Sequence, residues 1–137
     1  MSIDFLIAVV NTGLFILIWL VQIIIYPSFY YYQENDLKRW HGIYTRKITY
    51  IVMPLMLGQL GLYTWISFTR ANWADWISLG LIGIIWGITF LISIPWHHRI
   101  DHHDDTMRDR QQLVRSNWIR TVLWTIIFII SIYQYAK

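Results

Sequence analysis

The sequence predicts an all-α integral membrane protein, an antiparallel four-helix bundle made by one domain over residues 1–137. Three observations predict it. The chain is 56% hydrophobic and 14% charged, whereas soluble domains lie nearer about 45–50% and about 25%. A water-soluble chain this short has too little interior to hide so much apolar surface, and a bilayer solvates it instead. Apolar residues also run in four continuous stretches without alternation, which argues against β-barrel spans. Finally, the basic residues collect around the first and third connections.

The first span is read over residues 3–31. It is longer than the roughly 7–15-residue core of a signal peptide and lacks a basic n-region and a small-residue cleavage site, so it is expected to be retained. Gln33-Glu34-Asn35-Asp36 is polar, and Asn35 or Asp36 is placed to cap a second helix over 37–69. That helix would be roughly 50 Å long, against about 30 Å of hydrocarbon. Its first turns, with Lys38, Arg39, Arg46 and Lys47, are therefore expected in the interface or in water, and Pro54 is a candidate kink. Residues 70–75 form a polar connection among Trp65, Trp73 and Trp76, side chains suited to the headgroup level. The third span is read over 75–98 and the fourth over 108–136. Only 121–136 of the last is free of charge, about 24 Å of helix, so Asn117 and Arg120 are drawn to the hydrocarbon edge.

Nine of the 11 Lys and Arg residues flank the first connection (Lys38, Arg39, Arg46, Lys47) or the third (Arg99, Arg108, Arg110, Arg115, Arg120). Arg70 and Lys137 fall on the other side. The positive-inside rule then places both termini outside and the first and third connections in the cytoplasm of a bacterial-type inner membrane. The expected partners are the lipid bilayer and a hydrophobic small molecule, with self-association open. The net charge of +3 gives no reason to expect nucleic acid. The absence of cysteine excludes disulfides, thiolate metal sites and thiol nucleophiles. No nucleotide-binding loop, Gly-x-Ser-x-Gly elbow or HExxH helix is present.

Polar side chains within a span are costly and usually face protein or a cavity. Stripes at helical spacing are Trp19, Gln22, Tyr26 and Phe29; His41 and Tyr44 continuing to Gln59; Thr89, Ser93 and His97; and Asn117, Arg120, Thr121 and Trp124. In an antiparallel bundle, Tyr26, His41, Tyr44, His97, Asn117 and Arg120 all fall at the cytoplasmic ends and can converge on one pocket. His41, His97 and Arg120 are the candidate catalytic residues: a histidine to move a proton or hold a metal, an arginine to bind an oxyanion. Tyr26, Tyr44, Asn117 and Trp124 are the candidate substrate contacts. The alternative is an ordinary interfacial belt with a snorkelling arginine. A second cluster runs from His97 to Asp105. If the helix continues, His98 and His102 share a face, as do His97, Asp101 and Asp105. His98, His102 and Asp105 are then candidate ligands for a transition metal, with a solvated polar loop as the alternative.

Several short motifs carry a resemblance. Tyr26-Pro27-x-Phe29 closes the first span, and Trp40-His41-x-x-Tyr44 opens the second, followed by Pro54-Leu55-Met56 and Gln59. Pro95-x-His97 ends the third, and Leu113-Val114-x-x-Asn117-Trp118-x-Arg120-Thr121 opens the fourth. Over most of its length the chain resembles small bacterial four-helix membrane proteins of uncharacterised function, and more loosely the anthrone oxygenase-like family. The resemblance implies an intramembrane pocket and oxidoreductase or oxygenase-like chemistry on a hydrophobic substrate. The alternative is a non-catalytic module that binds lipid or metal, or a small subunit of an assembly; Gly83-x-x-x-Gly87 allows close helix contact. The order of elements is also similar to the four-helix protoporphyrinogen oxidase, which binds haem. That family places an axial histidine in the first span, and none precedes His41 here, so a transition metal is favoured over haem and the cofactor stays open. His98-x-x-x-His102-His103 resembles one histidine box of the membrane desaturases, but five histidines cannot fill that family's three boxes.

Overall fold

The computed structural model describes residues 2–70 and 72–136. Met1, Ala71 and Lys137, the last counted in the charge asymmetry, lie outside the described residues. Four long helical segments make up the chain: α1 Ile3–Tyr31, α2 Glu34–Arg70, α3 Trp73–His102 and α4 Met107–Tyr135. There is no strand among the described residues. All four segments are long and apolar enough to cross a membrane, which by length and composition makes this a multi-pass membrane protein.

Local chemistry sets the ends. The Ser2 hydroxyl accepts from the Phe5 N–H at 3.2 Å and starts α1, and the Asn72 side chain accepts from the Ala74 N–H at 3.2 Å and starts α3. Helix α2 begins about a turn before the expected residue 37, because the Leu37 N–H bonds to the Gln33 carbonyl at 2.8 Å. Asn35 and Asp36 therefore lie inside its first turn and do not cap it. Pro54 sits within one unbroken helix. Helix α3 continues past residue 98 to His102.

Two helices share a device that periodicity does not reveal. Val21–Ile25 in α1 and Thr89–Ser93 in α3 are π-helical, each just ahead of a proline, Pro27 and Pro95. Proline lacks an N–H and its ring crowds the carbonyl four residues back. One extra residue in the turn relieves the crowding. The Tyr26 N–H accordingly bonds to Val21 and the Ile94 N–H to Thr89, five residues back in each case.

Helix α1 packs against α2 and, most extensively, α4; α3 packs against α2 and α4. The core between them includes Ile7, Leu14, Ile18, Met56, Ile66, Ile82, Ile85 and Ile127. Large apolar side chains such as Ile16, Ile23, Leu91 and Ile129 point outward, a surface that suits lipid. At one end of the bundle, Lys38 pairs with Asp104 at 3.0 Å and Arg110 with Glu34 at 2.7 Å. At the other, Arg70 pairs with Asp4, Gln134 donates to Asp75 at 2.9 Å, and the rings of Phe5 and Tyr135 meet.

Candidate functional site

A cavity of about 370 Å³ lies toward the end that holds Glu34 and Arg110. Its wall is mostly apolar, with Leu14, Ile18 and Val21 from α1, Ile48, Val52 and Met56 from α2, and Ile94 from α3. The lining residues Thr49, Ile94 and His98 are exposed, while Val21, Tyr26, Arg120 and Trp124 are buried. The cavity thus opens sideways between α2 and α3 and is closed by α1 and α4.

Both π-turns contribute to the wall. They precede Tyr26 and His97, and Ser93 belongs to the second. Tyr26, Tyr44, His97, Arg120 and Trp124, expected from sequence, all line the cavity. His41 and Asn117 do not. Each is fully buried one layer behind the wall, His41 against His97 and Asn117 against Arg120.

Arg120 is the central feature. It is 7% exposed. One Nη donates to Ser93 Oγ at 3.2 Å and to Asn117 Oδ1 at 3.3 Å, its Nε–H has no partner among the described residues, and its guanidinium lies over the Trp124 ring at 5.2 Å. Tyr26 and Tyr44 stand beside it. No carboxylate pairs with it among the described residues. A buried cation normally has an anionic partner, because its desolvation is otherwise uncompensated. Asn117 is itself held: its Nδ2 donates to Gln22 Oε1 at 2.9 Å, and Gln22 Nε2 donates to the Val114 carbonyl at 3.3 Å. The Asn117 oxygen is thereby aimed at Arg120.

From Tyr26, beside Arg120, a polar row leads away: Tyr26 Oη to His97 Nε2, 2.9 Å; His97 Nδ1 to His41 Nε2, 2.7 Å; His41 Nδ1 to Asp101 Oδ1, 2.6 Å. Asp101, Ser93 and Gln22 were not among the expected site residues. The signal for two of them was present, since Ser93, His97 and Asp101 recur every four residues along α3. Gln22 was visible only as a polar residue in the first stripe.

The candidate metal ligands are placed differently from one another. The His98 and His102 rings stack at 4.1 Å, and His102 Nδ1 faces the His98 carbonyl at 2.8 Å. Asp105 lies beyond the helix end and accepts from the Met107 N–H at 3.4 Å. Among the described residues, no three His, Asp or Glu side chains are grouped so as to hold a metal ion. No family model, no curated protein and no solved structure matches the chain.

Proposed function

We propose that this chain is an antiparallel four-helix protein of a bacterial inner membrane that binds a hydrophobic molecule through an anionic or carbonyl oxygen placed on Arg120. The observation that carries the reading is a buried guanidinium with no anionic partner among the described residues, in the wall of an apolar cavity. The ligand's oxygen would supply the missing partner, and its apolar body would occupy the space between Leu14, Val52 and Met56. Ion pairs that tie the start of α2 to the loop after α3 and to the start of α4 support the alternating helix directions. If the protein is an oxygenase-like enzyme, its own residues contribute oxyanion binding by Arg120 and proton exchange by the histidines.

The aromatic carboxylate 1-naphthoate tests this, titrated into purified protein in mild detergent. Arg120→Gln should abolish binding, and Arg120→Lys should weaken it by about tenfold, because an ammonium cannot reproduce the planar fork. Both variants should still insert. Full affinity in the Lys variant would remove the pocket reading. A second reading, a subunit of a larger assembly, has one observation behind it: among the described residues, no neighbouring element comes within 4 Å of a Cβ placed at Gly80, Gly83 or Gly87, so this strip of α3 is open to another helix.

A further inference from the structure

Each imidazole in the row from Tyr26 to Asp101 uses both of its nitrogens. The row therefore has a donor–acceptor direction. A carboxylate only accepts, so His41 Nδ1 donates to Asp101. With His41 neutral, its Nε2 accepts from His97 Nδ1, and His97 Nε2 accepts from the Tyr26 hydroxyl. When His41 carries both protons, the direction reverses. Such a row moves one proton from end to end while every residue stays in place.

The two ends differ in a useful way. Tyr26 is buried in the cavity wall beside Arg120. The Asp101 side chain is 32% exposed, close to the end of the bundle. Among the described residues, the charged groups facing the row are Arg120 from α4 at one end and Asp101 from α3 at the other; beside His41, α2 adds the Tyr44 hydroxyl. A negative oxygen left in the cavity would face Arg120, and an imidazolium at His41 would face Asp101. Transfer along the row thus leaves each new charge beside its opposite.

We propose that Tyr26, His97, His41 and Asp101 form a proton relay that deprotonates a bound ligand hydroxyl of the phenol or enol class and passes the proton to the end of the bundle. The proposal rests on the cavity being a site for an oxygen-headed hydrophobic molecule. The ligand O–H breaks and its proton joins the Tyr26 oxygen. The Tyr26 proton passes to His97 Nε2, and the His97 Nδ1 proton to His41 Nε2. The electron pair of the broken bond stays on the ligand oxygen, against Arg120, and nothing is oxidised or reduced. His41, now an imidazolium, returns its extra proton to water by way of Asp101.

The probe is 1-naphthol, a weak oxygen acid that is neutral in water at neutral pH and whose anion absorbs differently. It is titrated into the full-length protein in mild detergent, against protein-free micelles. Calorimetry in two buffers of different ionisation heat counts the protons released. The wild type should bind naphtholate and release about one proton per bound molecule, whereas 1-naphthoate, already ionised, should bind without release. In Asp101→Asn and in His41→Gln, the rate of proton release after rapid mixing with saturating naphthol, followed with a pH indicator, should fall at least about tenfold, while the number released at equilibrium, which the bound state sets, stays near one. Should His41→Gln fail to fold, Asp101→Asn at the exposed end decides the matter alone. Naphthol bound neutral by the wild type, or an undiminished rate of proton release in Asp101→Asn, overturns the relay while leaving the pocket standing. Failure of the wild type to bind either probe overturns the pocket and the relay with it.

Discussion

Asn117 stands between a clamp and a cation. Its amide nitrogen is committed to Gln22, which leaves its oxygen for Arg120. Changing it to aspartate would place a carboxylate beside the guanidinium and supply from within the protein the anion that a ligand would bring. Asn117→Asp is therefore expected to lower 1-naphthoate affinity by at least about tenfold, or roughly 1.4 kcal/mol, and by more than Asn117→Ala does. Titration of the three proteins checks it; an Asp variant that binds as tightly as wild type would show that the ligand oxygen sits elsewhere. At this scale the sequence was partly legible. Helical spacing placed Arg120, Asn117, Tyr26, His97 and Trp124 on inward faces, and they do gather around one cavity. It could not separate the wall from the layer behind it, because one face of a helix spans both depths. His41, read as a catalytic candidate, and Asn117, read as a substrate contact, both lie in the layer behind the wall. Asp101 was read with the histidine cluster, and only the tertiary approach of α2 to α3 turns its carboxylate toward His41.

Arg110 does for the elements what Arg120 does for the site. It is 2% exposed, and each of its three nitrogens has a partner. Nε donates to Thr106, Nη1 to the Phe29 and Tyr32 carbonyls at 2.9 and 3.0 Å, and Nη2 pairs with Glu34 at 2.7 Å. The last carbonyls of a helix have no partner of their own, so Arg110 satisfies the end of α1, anchors the start of α2 and holds both to α4. Arg110→Lys keeps the charge but loses the fork. Hydrogen bonds to charged groups are worth about 1.5–3 kcal/mol each, and the variant should lose roughly that much stability or more. A thermal melt in detergent measures it; an unchanged midpoint would mean that the lysine finds the same carbonyls. From sequence, Arg110 counted only as one more cytoplasmic charge, since a cation in a polar stretch carries no sign of burial. The π-turns were hidden for a related reason. Tyr26-Pro27 and Ile94-Pro95 mark where a helix must adjust, but proline alone does not choose among a kink, a bulge and a continuous helix, and Pro54 takes the last course.

The whole molecule is asymmetric along its length. The end that gathers Glu34, Lys38, Asp104 and Arg110 also holds the cavity and the relay, and most of the basic residues lie near it. The far end has Arg70 paired with Asp4, so its described cation is already neutralised. Translocating a positive segment is opposed during insertion, so the basic end is expected to remain in the cytoplasm and both termini to lie outside. The chain is well suited to a direct check, because it has no cysteine. Single cysteines at Ser2 and at Asp104, both exposed, can be labelled in intact cells with a membrane-impermeant maleimide. The Ser2→Cys protein should react from outside, and Asp104→Cys only after the membrane is opened. The reverse pattern would put the relay's exit on the outer face and overturn the charge-based orientation. The expected pattern would instead let Asp101 release its proton to the cytoplasm, while the mouth between α2 and α3 stays open to the bilayer from which a hydrophobic ligand arrives.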